Sequence, residues 1–233
     1  MEIYLTSRRT YGRRRIHATL KHQGVICGHN RVARLMKNLG ICGIGKPKRK
    51  NTTKSGLLGA VPNLLGKGHN TTAPNQLWVS DITYIRTSEG WLYLCTILDA
   101  FSRVIVGWSM DETLKSHLVL NALRGPLAKR KLTDPLIFHS DKGSQYRAKV
   151  VRRYLKDRAV LQSMTGQDHC FDNASAESFF ATLKKELVHR VNFKTRREAK
   201  TAIFEFIEVF YNRVRAHSSI GNLAPMRYEE SLT

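Results

Sequence analysis

Between Leu77 and Met110 the chain reads LWVSDITYIRTSEGWLYLCTILDAFSRVIVGWSM, rich in β-branched and aromatic residues. Two clusters of turn-forming types, Thr87-Ser88-Glu89-Gly90 and Asp99-Ala100-Phe101-Ser102, divide it. The pattern predicts three consecutive strands over Leu77–Arg86, Trp91–Leu98 and Arg103–Met110. Strand side chains alternate between faces, so Leu77, Val79, Asp81, Thr83 and Ile85 share one. Four of the five can pack in a core; the fifth is a carboxylate. A buried, unpaired Asp is costly, so it needs a cation, a hydrogen-bond network or a cleft. The plain alternative is an Asp capping a turn at a strand end, but Asp81 falls mid-strand.

Downstream the period changes to that of helices. Thr113–Lys131 presents Leu114, Leu118, Leu120 and Leu123, with Gly125-Pro126 expected to interrupt it late. A short apolar strand, Pro135–His139, leads into Ser140-Asp141-Lys142-Gly143, which puts Asp141 at a strand's C-terminal end. A helix over Ser144–Arg158, a strand over Val160–Met164 and a polar loop over Thr165–Asn173 follow. Asn173 is placed to cap a helix over Ala174–His189 with Phe179, Phe180, Leu183 and Leu187 inside and Glu177 in its first turn. A last helix, Thr195–Arg213, would pack through Ala199, Ile203, Phe206, Ile207 and Phe210.

Ahead of the strands, Arg13–Gln23 is a short helical pattern. Asn30 is placed to cap a second one, Arg31–Leu39, with the stripe Val32, Leu35, Met36, Leu39. Arg31, Arg34 and Lys37 lie outside that stripe. Two readings stand side by side: a helix-turn-helix that enters a DNA groove, or a basic helical hairpin that only touches phosphate.

Charge sharpens this. The 233 residues carry a formal net charge of +21 and a pI near 10.2, which points to a polyanion, nucleic acid first. Residues 1–70 hold 15 Lys and Arg against the single acid Glu2, so the front is far more basic than the rest. Within Gly43–Gln76, which has linker composition, the run containing Lys48, Arg49 and Lys50 suits phosphate tracking. The expected organisation is a helix-turn-helix domain over 1–45, a basic linker over 46–70, a catalytic core over 71–190 and a helical extension of that core over 191–233. No secretory signal and no apolar run near the roughly 20 residues that span a bilayer is visible. With four scattered cysteines, this suggests a cytoplasmic, nucleoid-associated protein with reduced thiols and no membrane partner. A zinc site from His17, His22, Cys27 and Cys42 is conceivable but lacks paired cysteine spacing.

The three acids Asp81, Asp141 and Glu177 fall mid-strand, after a strand and at a helix start. A mixed sheet would let them converge at one of its edges. Three oxygen donors suit Mg²⁺ or Mn²⁺ rather than zinc. Two such ions about 3.5–4 Å apart would serve an in-line phosphoryl displacement.

The blocks WVSDITYI, HSDKGSQY and DNASAESFFATLKKEL resemble the catalytic blocks of bacterial insertion-sequence transposases with a retroviral-integrase-type core. Thirty-five residues separate Asp141 from Glu177, the spacing of the DD(35)E group. YGRRRI with RVARLMKNLGI resembles that family's N-terminal helix-turn-helix region, and Tyr211-Asn212, Arg215, His217 and Pro225 its C-terminal signature. Leu65-Gly66-Lys67-Gly68-His69 departs from the family, whose members commonly carry an Arg and then a Phe there.

The resemblance implies an α/β, ribonuclease-H-like mixed sheet flanked by helices, with Asp81, Asp141 and Glu177 as catalytic metal ligands. It implies a Mg²⁺-dependent transposase that binds element ends, cuts one strand and joins the 3′-OH to target duplex DNA. Assembly as a homo-oligomer on DNA, and an upstream-frame partner or fusion, are further expectations. Lys184, two helical turns after Glu177, is placed to grip phosphate beside the scissile bond. The rival functions are a non-catalytic DNA-binding regulator, a ribonuclease-H-type nuclease acting on hybrids, and a basic nucleoid protein.

Overall fold

The computed structural model describes residues 1–45, 61–65, 70–132, 135–165 and 173–232. The chain divides into two compact units, Met1–Lys54 with Glu205–Thr233, and Ser55–Phe204. In the first unit, helix α1 (Glu2–Thr6) precedes α2 (Arg13–His22) and α3 (His29–Asn38). Helix α3 starts earlier than expected: Gly28 holds the cap position, and Asn30 lies inside the first turn with no capping bond from its side chain. Only Val32 and Met36 of the expected stripe are buried, with Ile16 and Tyr11. Leu35 and Leu39 are about half exposed, because two short helices have too little partner surface to cover a full stripe.

The second unit is built on a five-stranded sheet of β1 (Leu77–Thr87), β2 (Gly90–Asp99), β3 (Ile105–Asp111), β4 (Ile137–Ser140) and β5 (Leu161–Met164). The spatial order is β3-β2-β1-β4-β5. The first three strands form an antiparallel meander, and β4 and β5 add in parallel on the other side of β1. This makes β1 the central strand. Its first half is buried on both faces, since Trp78, Val79 and Ser80 are all inaccessible.

Between β3 and β4 runs α4 (Ser116–Lys129), packed on β2 and β3. The expected interruption at Gly125-Pro126 does not occur; the helix continues through Pro126. Pro126 has no N–H to give the carbonyl of Ala122 four residues back. That carbonyl faces Gly107 of β3, where a Cβ would lie 2.3 Å from it and 2.7 Å from Pro126 Cγ. Strand and helix therefore meet backbone to backbone at Gly107.

The expected helix Ser144–Arg158 is two helices, α5 (Ser144–Arg147) and α6 (Lys149–Lys156), parted at Ala148, whose ψ of 136° is extended. The break lets each piece meet a different demand. Tyr146 on α5 is buried against Phe138, while Val151 and Leu155 on α6 join the core behind the sheet. On the other face, α7 (Ala174–Glu186) packs against β1 and β2 through Ala176, Phe179, Phe180 and Leu183.

The last long helix is α8 (Arg196–Phe204) followed directly by a π-helical stretch, Glu205–Tyr211. The extension expected over 191–233 thus divides: 191–204 lies with the sheet, and Glu205–Thr233 with the N-terminal helices. Within that unit the Tyr11 hydroxyl donates to the Val214 carbonyl and accepts from the Ala216 N–H, and Ala216 joins the core of Tyr11, Ile16 and Val32. The C-terminal signature is a packing knot. Tyr211, Asn212 and Arg215 are buried, His217 meets the Tyr211 ring edge-on at 4.7 Å, and the Asn212 carbonyl accepts from Met226. A short helix α9 (Pro225–Glu230) follows.

Gly107→Ala should destabilise the sheet unit by about 1–3 kcal/mol through overpacking against Ala122 and Pro126. Gly125→Ala, with open space around it, should be neutral or stabilising by up to about 1 kcal/mol. Urea unfolding of the two variants checks this; equal midpoints would show that the β3–α4 contact is loose.

Candidate active site

Asp81 lies opposite Thr96 of β2 and is half-buried. Its Oδ1 accepts the N–H of Ile82 at 2.7 Å. The parallel β1–β4 register pairs Ser80 with Ser140, so Asp81 and Asp141 stand side by side on neighbouring chains about 5 Å apart. Asp81 and Asp141 therefore lie at the middle of the sheet, not at its edge, where β4 ends and β1 continues. Asp141 is exposed and its Oδ1 accepts the Gly143 N–H at 2.9 Å. A Cβ on Gly143 would lie 2.9 Å from that oxygen, so glycine lets the turn close over the carboxylate.

Glu177 is exposed in the first turn of α7. Asn173 holds the cap position, but its side chain makes no capping bond; its Nδ2 donates to the Ser80 carbonyl at 3.5 Å. Arg103, in left-handed backbone (φ 66°) after β2, donates to Ser175 Oγ. These two bonds moor the start of α7 over β1 and the β2–β3 turn, which carries Glu177 toward Asp81.

Behind Asp81 lies a buried polar set to which the sequence assigned no role, although Ser80 and Tyr146 fall within the blocks WVSDITYI and HSDKGSQY. Ser80 Oγ donates to the Thr96 carbonyl at 2.9 Å and is hydrogen-bonded to the Tyr146 hydroxyl at 2.9 Å. Gln162 Nε2 donates to the Tyr146 carbonyl. Tyr146 follows Asp141 by five residues and Ser80 precedes Asp81, so this bond ties together the backbones that carry the two acids. The signal in the sequence was the polar Ser80 directly after the apolar run Leu77-Trp78-Val79.

Burial pushes the Asp81 carboxyl up to about 7; the charges of Asp141 and Glu177 add to the rise, and the Ile82 N–H and Lys184 oppose it. Asp141, Glu177 and Lys184 therefore all act on Asp81 electrostatically. Burial likewise raises the Cys95 thiol to about 12 and the Tyr146 hydroxyl well above its ordinary value, so both stay neutral.

The chemistry of the donor set fits a hard divalent cation, since all three groups are carboxylates and a cation would relieve the strain on Asp81. The described residues hold no group of three His, Cys, Asp or Glu side chains drawn together as a ligand set. The zinc reading gains nothing either: His17 is bonded to the Cys27 carbonyl and stacked on His29, and His22 is bonded to the Gly221 carbonyl. Of the cations, Arg31, Arg34 and Lys37 are exposed on α3 and Lys184 is half-buried on α7. Lys48, Arg49 and Lys50 lie outside the described residues.

A five-stranded mixed sheet in the order β3-β2-β1-β4-β5, with helices on both faces, defines a ribonuclease-H-like integrase core. The integrase core domain family matches residues 71–170, and a second integrase core model matches 177–232. An HTH-like domain matches residues 1–50. The fold is shared with the HTLV-2 integrase catalytic core domain in complex with magnesium (dimeric form), at a TM-score of 0.50, 16% identity, and coverage of 70% of this chain and 99% of that one. The catalytic domain of Mos1 mariner transposase shares it too (TM-score 0.50, 17% identity, 58% and 71% covered).

The chain is 42% identical to the insertion element IS600 uncharacterized 31 kDa protein of Shigella sonnei, over 97% of its length and 84% of that protein's. It is 37% identical to transposase InsF for insertion sequence IS3A of Escherichia coli (strain K12), over 97% and 79%. The chain belongs to the insertion-sequence transposase family.

The raised Asp81 carboxyl has a consequence for stability. Its folded pKa of about 7 lies above the ordinary 3.8, so across that window the folded protein holds more proton than the unfolded chain. Stability from this group falls as pH rises through the window and stays low above it. Without divalent cations, Asp81→Asn should be more stable than wild type at pH 8, by about 1–3 kcal/mol, and the difference should close toward pH 4. Urea unfolding at several pH values checks this; a pH-independent difference would mean that packing alone is at work.

Proposed function

We propose that this transposase binds the ends of its insertion element, cuts one strand there to leave a 3′-OH, and directs that hydroxyl onto a phosphodiester of target duplex DNA. The observation that supports the reading is the raised Asp81 carboxyl at the end of the β1–β4 ladder, on which Asp141, Glu177 and Lys184 all act electrostatically. Asp81 and Asp141, side by side on paired strands, would hold Mg²⁺ or Mn²⁺, and Glu177 would complete the set from α7. Two bound ions would supply Lewis-acid activation of the attacking oxygen and stabilisation of the leaving one. The HTLV-2 core, solved with magnesium, supports the choice of ion.

The chain's own residues position the substrate. Lys184 lies two turns along α7 from Glu177, about 10 Å away on the same side, and is placed to hold a phosphate next to the scissile one. Arg31, Arg34 and Lys37 are free to face DNA from α3, where an Arg can read a guanine edge. On this reading residues 1–45 recognise the ends, Lys48, Arg49 and Lys50 in the 46–70 linker track phosphate, and 71–190 do the chemistry. Two ends must be handled together, so the active form is a homo-oligomer on DNA, with or without an upstream-frame partner. With no helix among the described residues long and apolar enough to cross a membrane, the reading places the protein in the cytoplasm at the nucleoid.

Incubating the protein with labelled terminal repeats and Mg²⁺ tests the reading by the appearance of 3′-OH cleavage and joined strands. Asp81→Asn, Asp141→Asn and Glu177→Gln should each abolish both products while a gel shift of the ends persists. Any one variant that cleaves at near wild-type rate removes that residue from the set.

Lys184→Ala should lower the log–log salt dependence of DNA binding by ~0.9, one phosphate contact, and slow strand joining. Lys185→Ala, about 100° round the helix, should do less. Equal effects of the two would reduce Lys184 to general basicity.

A further inference from the structure

Helix α6 carries a second concentration of charge, away from the acids. From Arg147 to Arg158 the chain has six basic residues and one acid, Asp157, in a part of the sequence that is otherwise mildly charged. Lys149, Arg152, Arg153 and Lys156 recur at helical spacing and fall within about 100° of arc. All four are exposed, while the opposite side of α6 buries Val151 and Leu155. Asp157 lies 3.8 Å from Arg153 in a pair open to water, which neutralises little. Among the described residues, Lys149, Arg152 and Lys156 have no ion-pair partner.

The stripe borders a groove of about 570 Å³ between α6 and the edge strand β5, lined also by Leu155, Val160, Leu161 and Gln162. Three unpaired cations and Arg153 line this open groove together, and their summed positive potential favours an external anion there. We infer that the α6–β5 groove holds the sugar–phosphate backbone of duplex DNA, in contacts separate from the three acids and from α3. The stripe rises about 10 Å from Lys149 to Lys156, which matches roughly three phosphates of one strand at ~3.4 Å of duplex axis each. Because these side chains meet phosphate and not base edges, the contact is independent of sequence.

The inference rests on the reading that this chain acts on DNA, and one experiment separates the two. Binding of the full chain to two unrelated duplexes is measured as a function of salt without divalent cations. Arg152→Ala combined with Lys156→Ala should lower the log–log slope by about 1.8 on both duplexes. The charge-preserving pair Arg152→Lys with Lys156→Arg should keep the wild-type slope, and so should Arg124→Ala with Lys129→Ala, which removes two exposed charges from α4. An unchanged slope in the α6 double alanine variant, or an equal loss from the α4 pair, overturns the inference. Failure of the wild-type protein to bind either duplex would instead overturn the proposed function.

Discussion

The protein depends on one awkward placement: a carboxylate in the middle of the central strand of its sheet. Asp81 is paired with Thr96 of β2 on one side and lies just past the end of β4 on the other, and the neighbouring acids add their charge to the cost of burial. The parallel β1–β4 register holds Asp81 beside Asp141, and side-chain alternation makes that register strict. A slip of one residue would turn Asp81 toward α4 and α6 and bring Ser80 or Ile82 to the cleft. A charged group placed at such cost is a feature of sites that bind cations, not of folds built for stability alone.

Much of the surrounding structure holds that placement rigid. Trp78, Phe138 and the inner faces of α4 and α6 pack one side of the sheet, and the Ala122–Gly107 approach brings α4 to van der Waals contact with β3. The Ser80–Tyr146 bond ties the two acid-bearing segments from behind. On the other side, α7 acts as an arm, with a buried aromatic face, an exposed Glu177 and a half-buried Lys184. Sites supported in this way by packed elements keep their geometry better than sites on loops.

Charge is distributed in a complementary way. The acids occupy one cleft, while cations line α3 and the α6 stripe. A polyanion would be drawn to these cationic surfaces and repelled by the carboxylates.

Local periodicity was enough to place the three meander strands, to show Asp81 as a mid-strand carboxylate and to put Asp141 and Glu177 after a strand and at a helix start. These are properties of a few neighbouring residues and survive in any arrangement of the elements. The tertiary structure decided what the elements do with their ends and faces. Asn173 reaches for the Ser80 carbonyl instead of capping α7, and α4 continues through Pro126 because Gly107 admits the Ala122 carbonyl. The α5–α6 break serves Tyr146, and Leu35 and Leu39 remain exposed for want of a partner. The Tyr11–Ala216 contact joins residues 205 positions apart. A hydrophobic stripe specifies that a face seeks cover but not which distant segment supplies it, and a polar side chain specifies a bond but not its partner. Those choices are made only when the whole chain is packed.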